Sequence, residues 1–546
     1  MKNFILNLKK YFNNKLIIKK FKKYNKNHFF KIKSNKIILV EFNAFFSSHF
    51  FLALIANFLS KKNSCSIVAY YNYYLISSDV NSSILNKIKW HIGKRINAGF
   101  FGIYNSFGVA DFIKPDFSKN NKKAEVLFNE IEKKIKTKND ILEIKINDIP
   151  IGDLLYDGFL RYNLNYTKNF TIDIESKKFK EYLHNFIKLF LFWEEYLKTN
   201  QILAVIGVIC YYSQGLILRI SSSNNKIITL AVEGGQLFKL SKSRNVSHLE
   251  FKDYKNLFAN LSNEEQNQYK EKSYQSIKNR FSGMVKNYIY TTTSSFSEVY
   301  NKDVEVLKKN SKIKILISSH NIGDVSSAFG KNFFPDFYEW LNFLGQMSEK
   351  TDYDWYIKDH PYYPDLKYST TQQKSYRLSE MLVNKYNKIK RIPPNTSHHQ
   401  LINEGINFVL TVYGTIAWEY AYHEIPVLTA TRNCRTINYD FNVHSKNKDD
   451  YEKNILNLKN ISFNPKKNEI IEYYSMNYLF FNHDAIFKNY SDFVKDPKYN
   501  WDSYDTPEFY KFLTNNVDDF EMNEINKKLE RFLNSGDYHL SRIHAK

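Results

Sequence analysis

Apolar residues in this chain come in short unbroken runs, separated by stretches in which they recur every third or fourth position. The first run is Ile37-Ile38-Leu39-Val40. A turn over 41–48 follows, then Phe50, Phe51, Leu54, Ile55 and Phe58 at helical spacing, then the run Ser66-Ile67-Val68-Ala69-Tyr70. Short β-branched runs read as strands buried on both faces, and strand–helix–strand order is that of a parallel sheet. Residues 121–135 and 176–198 predict helices. The second carries Tyr182, Leu183, Phe186, Ile187, Phe190 and Trp193, and the charges that interrupt it mark a core helix. Runs at 204–209 and 227–232 flank a further helix, and the latter ends in Glu233-Gly234-Gly235.

The pattern then restarts. Residues 241–310 are polar with helical spacing and read as a bridge. Strands are predicted at 313–317, 355–358, 389–392, 408–412 and 426–430, and helices at 336–350 and 415–424. In the first of these helices Phe337, Trp340, Leu344 and Met347 share a face. An aromatic-rich, mostly helical tail runs from 465 to 546. The fold class is therefore α/β, with two Rossmann-like doubly wound domains facing a cleft. The division is a basic amphipathic extension at 1–35, a first domain at 36–240 with a helical insertion, the bridge at 241–310, a second domain at 311–480 and C-terminal helices at 481–546.

The chain has 546 residues, too many for one core, and 43% of them are hydrophobic, as in a globular protein. Its formal charge of +22 suits an anionic partner, although the excess of Lys over Arg also fits an AT-biased genome. In the extension, Phe4, Ile5, Leu8, Phe12, Leu16 and Ile17 can share one helical face bordered by lysines. Such a helix either lies on an anionic inner-membrane surface or packs on the body. Cys65, Cys210 and Cys434 are isolated, which fits a reducing cytoplasm and neither a disulfide framework nor a cysteine metal site. No apolar run reaches membrane-spanning length, and no signal-peptide pattern begins the chain. No compact basic module with interleaved aromatics is present, so no nucleic-acid partner is expected.

Candidate chemistry gathers where strands end. Lys358-Asp359-His360-Pro361 follows one strand of the second domain, and Tyr413-Gly414-Thr415, running on to Glu419, follows another. Strand carboxyl ends facing helix starts are where α/β folds hold phosphates. Lys358 offers a charge, His360 N–H donors, Gly414 and Thr415 backbone N–H groups, and Glu419 an acceptor for ribose hydroxyls. His320 ends the first strand of the same domain and would line the cleft. If an acceptor hydroxyl is to lose its proton, a base is needed in the first domain; Glu41, His49, Asp153, Asp157 and Glu233 are the candidates, and the sequence does not choose among them. The setting of Asp153 and Asp157, polar residues embedded in apolar ones, equally fits a buried network. The adjacent pair His398-His399 does not make a zinc site, no Asp-x-Asp closes a strand, and no Walker-type loop is present. No metal or other cofactor is expected.

The segments WYIKDHP (355–361) and VLTVYGTIAWEYAYHEIPVL (409–428) resemble the donor half of bacterial capsule polysaccharide biosynthesis proteins. That group includes capsule Kdo transferases and, more distantly, polysialyltransferases and teichoic-acid glycerophosphate transferases. Residues 317–341 and 151–161 look similar to segments of the same group. The resemblance implies a B-type (GT-B) glycosyltransferase fold, a nucleotide-activated sugar donor held on the second domain at His360, Pro361 and the Gly414-Thr415 turn, and a glycan or glycolipid acceptor on the first. It also implies a cytoplasmic enzyme working peripherally at the inner membrane. Teichoic-acid-type transfer from a CDP-polyol and a non-catalytic scaffold are the rival expectations. One departure is that His423-Glu424 stands before Ile425-Pro426, where related sequences often carry glycine.

Overall fold

Runs of β-branched residues need cover on both faces, and the chain supplies it with two parallel-centred sheets, each wrapped by helices. The computed structural model describes residues 2–72, 75, 84–117, 121–163, 170–233, 235–283, 296, 305–359, 370–393, 395–480, 485–486, 488, 490 and 506–540. The first domain contributes β1 (Lys36–Phe42), β2 (Ser66–Tyr71), β3 (Val109–Ile113), a small antiparallel hairpin of β4 (Lys145–Ile146) and β5 (Ile149–Pro150), β6 (Gln201–Gly207), β7 (Ile228–Glu233) and β8 (Gln236–Leu240). Its sheet order is β3-β2-β1-β6-β7-β8, parallel except for the antiparallel edge β7–β8.

The second domain repeats the plan with β9 (Lys314–Ser318), β10 (Asp354–Lys358), β11 (Ile389–Ile392), β12 (Phe408–Thr411), β13 (Val427–Thr429) and β14 (Val443–His444), in the order β11-β10-β9-β12-β13-β14, parallel throughout. Both sheets wind outward from a central strand and then return to its other side. That is the doubly wound order, and its switch points lie between β1 and β6 and between β9 and β12.

Alternation along the strands divides the core. Ile38 and Val40 join Ile67, Ala69, Ala204 and Ile206 on one face of the first sheet, covered by the helix Phe46–Asn63. Leu39, Val68 and Val205 point the other way, into a cluster that continues without a break to Ile315, Ile317, Trp355 and Leu410 of the second sheet. The two domains therefore share one apolar core. Leu316, Tyr356, Val409 and Val427 cover the far face of the second sheet.

Five strands were not legible as runs: the two-residue hairpin strands β4 and β5, and β3, β8 and β14. The last three lie at sheet edges, where half-burial admits Asp111, Lys239 and His444. Residues 2–35 form the helix Lys2–His28 and β1's approach, and the helix is docked on the body: Phe21 stacks on Tyr510 at 3.8 Å and Tyr24 donates to the Val517 carbonyl at 2.7 Å. The C-terminal helices Glu508–Asn516 and Asp519–Asn534 return to the first domain, burying Phe509, Leu513, Ile525 and Phe532 in its core. Among the described residues no helix is long and apolar enough to cross a membrane.

Candidate functional site

The helix Gly152–Asn163 fixes how the two sheets meet. Asp157, buried on it, accepts from the backbone N–H and hydroxyl of both Ser326 and Ser327 in the second domain, the Ser326 bonds measuring 3.1 and 2.5 Å. One turn on, Arg161 donates to the Gly323 carbonyl at 3.0 Å. Asp336 caps the helix Phe337–Lys350 through the Glu339 N–H, and its other oxygen takes the hydroxyls of Tyr156 and Thr171, each at 2.6 Å. These bonds hold the loop after β9 against the first domain. The end of β7 and the loop after β13 come together, with Glu233 and Arg435 within electrostatic reach of one another.

Four groups gather there. Arg435, on the loop after β13, lies with its guanidinium 4.9 Å from the Phe329 ring centroid; among the described residues it has no hydrogen bond or ion pair. Opposite is Glu233, the last residue of β7, with its side chain 38% exposed and its carboxylate within 3.5 Å of His248 Nε2. Ser247 donates its hydroxyl to the same carboxylate. Burial pushes the Glu233 carboxyl up, but His248, Ser247 and Arg435 outweigh it and hold the group below its ordinary value. His248 sits at φ 61°, a left-handed backbone that a histidine rarely adopts, and its ring packs 4.7 Å from Phe238. Tyr413 completes the wall: its hydroxyl donates to the Val325 carbonyl, and its ring meets Phe329 edge-on at 5.3 Å.

His320 stands at the switch point of the second domain. Its ring stacks on Phe337 at 4.8 Å, and its Nε2 accepts the Val412 N–H at 3.2 Å, with Thr411 Oγ1 at 3.0 Å. Gly414 follows β12 so closely that a Cβ there would stand 2.9 Å from Thr411 Oγ1, and its N–H donates to that oxygen at 3.3 Å. Thr415 precedes the seven-residue helix Ile416–Tyr422. Glu419 lies buried on that helix and accepts from Arg280 Nε at 2.9 Å, with Arg280 itself over the Trp418 ring. Lys358 is buried at the end of β10, and its carbonyl accepts the Ser319 N–H at 3.3 Å. His360 and Pro361 lie outside the described residues.

In the first domain, Glu41, the last residue but one of β1, is buried at the switch point and accepts the N–H of Val208, just past β6, at 2.7 Å. Burial lifts its carboxyl to about 6. His49 is enclosed, with Nδ1 2.5 Å from the Tyr510 hydroxyl and Nε2 3.1 Å from the Asn43 carbonyl, and burial pushes it down to about 4. Asp153 makes a two-pronged pair with Arg219, at 2.9 and 2.7 Å. Of the five candidate bases, Glu233 and Asp153 keep partly exposed side chains, at 38% and 30%, the first beside His248 and the second paired with Arg219, while Glu41, His49 and Asp157 are buried. His248 and Arg435, which no motif flagged, are the groups the structure brings to Glu233. Among the described residues no set of three or more His, Cys, Asp or Glu side chains converges as a metal site.

No protein-family model matches the sequence, and no curated protein matches it significantly. Among solved structures it is similar to UDP-GlcNAc 2-epimerase from Methanocaldococcus jannaschii, at 13% identity over 79% of this chain and 95% of that one, with a TM-score of 0.22. It is also similar to S. aureus MnaA with UDP, at 10% identity, 91% and 97% coverage and a TM-score of 0.22, and to the wall teichoic acid polymerase TagF, at 10% identity, 98% and 100% coverage and a TM-score of 0.19. Likenesses this loose carry no weight; the doubly wound fold rests on the strand order itself.

Proposed function

We propose that this chain is a glycosyltransferase that moves a sugar from a nucleotide-activated donor to a glycan or glycolipid acceptor of a capsule or other surface polysaccharide. The observation that carries the reading is Arg435, a guanidinium with no hydrogen bond or ion pair among the described residues that lies within electrostatic reach of the Glu233 carboxylate, itself paired with His248. As the bond between the anomeric carbon and the leaving phosphate breaks, negative charge grows on the phosphate, and a fixed guanidinium stabilises it without a metal. The acceptor oxygen bonds to that carbon and loses its proton to the His248 imidazole, whose positive charge the Glu233 carboxylate then offsets. The second domain holds the nucleotide at its switch point near His320 and Gly414, with His360 and Lys358 joining on the strength of the sequence resemblance. The enzyme works in the cytoplasm at the inner-membrane surface, where such acceptors are assembled.

Nucleotide release from a panel of UDP-, GDP-, CDP- and CMP-sugars tests this. The parent is expected to turn over one of them, and Arg435→Ala to lower kcat/KM by about 10²-fold or more. Full activity of that variant would remove the assignment. A CDP-polyol donor would meet the same cation and base with phosphorus as the centre attacked, and the product mass separates the two chemistries.

A further inference from the structure

The helix Ile84–Ile96 has two unlike faces. Trp90 packs inward against Phe101 at 5.0 Å and Phe42 at 5.6 Å, and Gly93 lies so near the body that a Cβ would stand 2.9 Å from the Phe101 ring. Turned away from these are Leu85, Ile88, Ile92 and Ile96, at 66%, 47%, 53% and 65% exposure. At 3.6 residues per turn these four fall within an arc of roughly 80°. Lys89 borders the arc on one side and Arg95 on the other, both exposed, with Lys87 and His91 further round. The helix contains no acidic residue.

We propose that this face lies on an anionic lipid surface, the aliphatic stripe entering the headgroup boundary and the flanking cations meeting lipid phosphates. Four aliphatic side chains cover far less than the roughly 800 Å² per partner of a stable protein interface. A second copy docked on the same stripe would bring like-charged rows together. A bilayer answers both features, since it is apolar below and anionic above. This deepens the membrane part of the proposed function, and it stands on the helix rather than on the donor site. It is separate from the N-terminal helix, on which Ile17 is buried against the body while Phe12 and Leu16 are exposed at 62% and 52%.

Co-sedimentation with vesicles of equimolar phosphatidylglycerol and phosphatidylcholine, against phosphatidylcholine alone, decides it. The full chain is expected to bind the anionic vesicles. Ile88→Gln with Ile92→Gln, and Lys89→Glu with Arg95→Glu, are each expected to weaken binding on the order of tenfold or more, while Leu16→Gln on the N-terminal helix leaves it unchanged. All these positions are exposed, so an unchanged melting temperature shows that the fold survives. Absent vesicle binding by the parent, or undiminished binding by the Ile88/Ile92 variant, would overturn the proposal. So would a dimer in sedimentation velocity that this variant dissociates. Vesicle binding is read without nucleotide, so failure of the donor reading does not affect it, and loss of vesicle binding leaves nucleotide stabilisation intact.

Discussion

At the scale of single residues, the site turns on the pair Glu233 and His248. The Glu233 carboxylate lies against His248 Nε2 and offsets the charge the ring gains when it takes a proton. Glu233→Gln removes that charge and is expected to lower kcat by about tenfold or more. His248→Ala is expected to cost about 10²- to 10⁴-fold in kcat. Full kcat in Glu233→Gln would detach the pair from catalysis. Legibility at this scale was uneven. Glu233 could be found because it closes a β-branched run, whereas His248 and Arg435 sit in loops with no period, and only the chain's return brings them into one place. Glu424 adopts φ 63°, a conformation that costs glycine least, which is why glycine is frequent there in the sequences this segment resembles; here Lys467 pairs with the side chain at 2.8 Å.

At the scale of elements, the helix Gly152–Asn163 joins the domains. Its polar residues among apolar ones admitted both a base and a buried network, and the network that Asp157 joins is made with Ser326-Ser327, 169 and 170 positions away. No periodicity encodes such a separation. Asp157→Ala would strand two buried N–H groups and two hydroxyls. The expected loss is about 2–4 kcal/mol of unfolding free energy in denaturant titration; a loss below about 0.5 kcal/mol, the range of an ordinary surface substitution, would refute the joint. Strands were legible where both faces are covered, as in β1, β6, β9 and β12; of the four edges of the two large sheets only β11 was, its ends Ile389 and Ile392 being buried, while β3, β8 and β14 admit polar residues.

Over the whole molecule, the restart of the strand–helix pattern after the bridge is what made two domains legible. The sequence could not show that one apolar core runs through both, or that the C-terminal helices return to cover the first. Both follow from long-range burial: Phe509 and Phe532 fill the face of the helix Phe46–Asn63 that β1 leaves open. With the end of β7 and the loop after β13 held together, a bound nucleotide would touch both domains and stabilise them together. The most direct measurement is thermal unfolding of the parent and of Arg435→Ala with UDP, GDP, CDP and CMP. The account predicts that one nucleotide, at a hundred times its dissociation constant, stabilises the parent by about 2.7 kcal/mol, and that Arg435→Ala loses most of this at the same concentration. Absence of a shift with all four, or an equal shift in the variant, would contradict it.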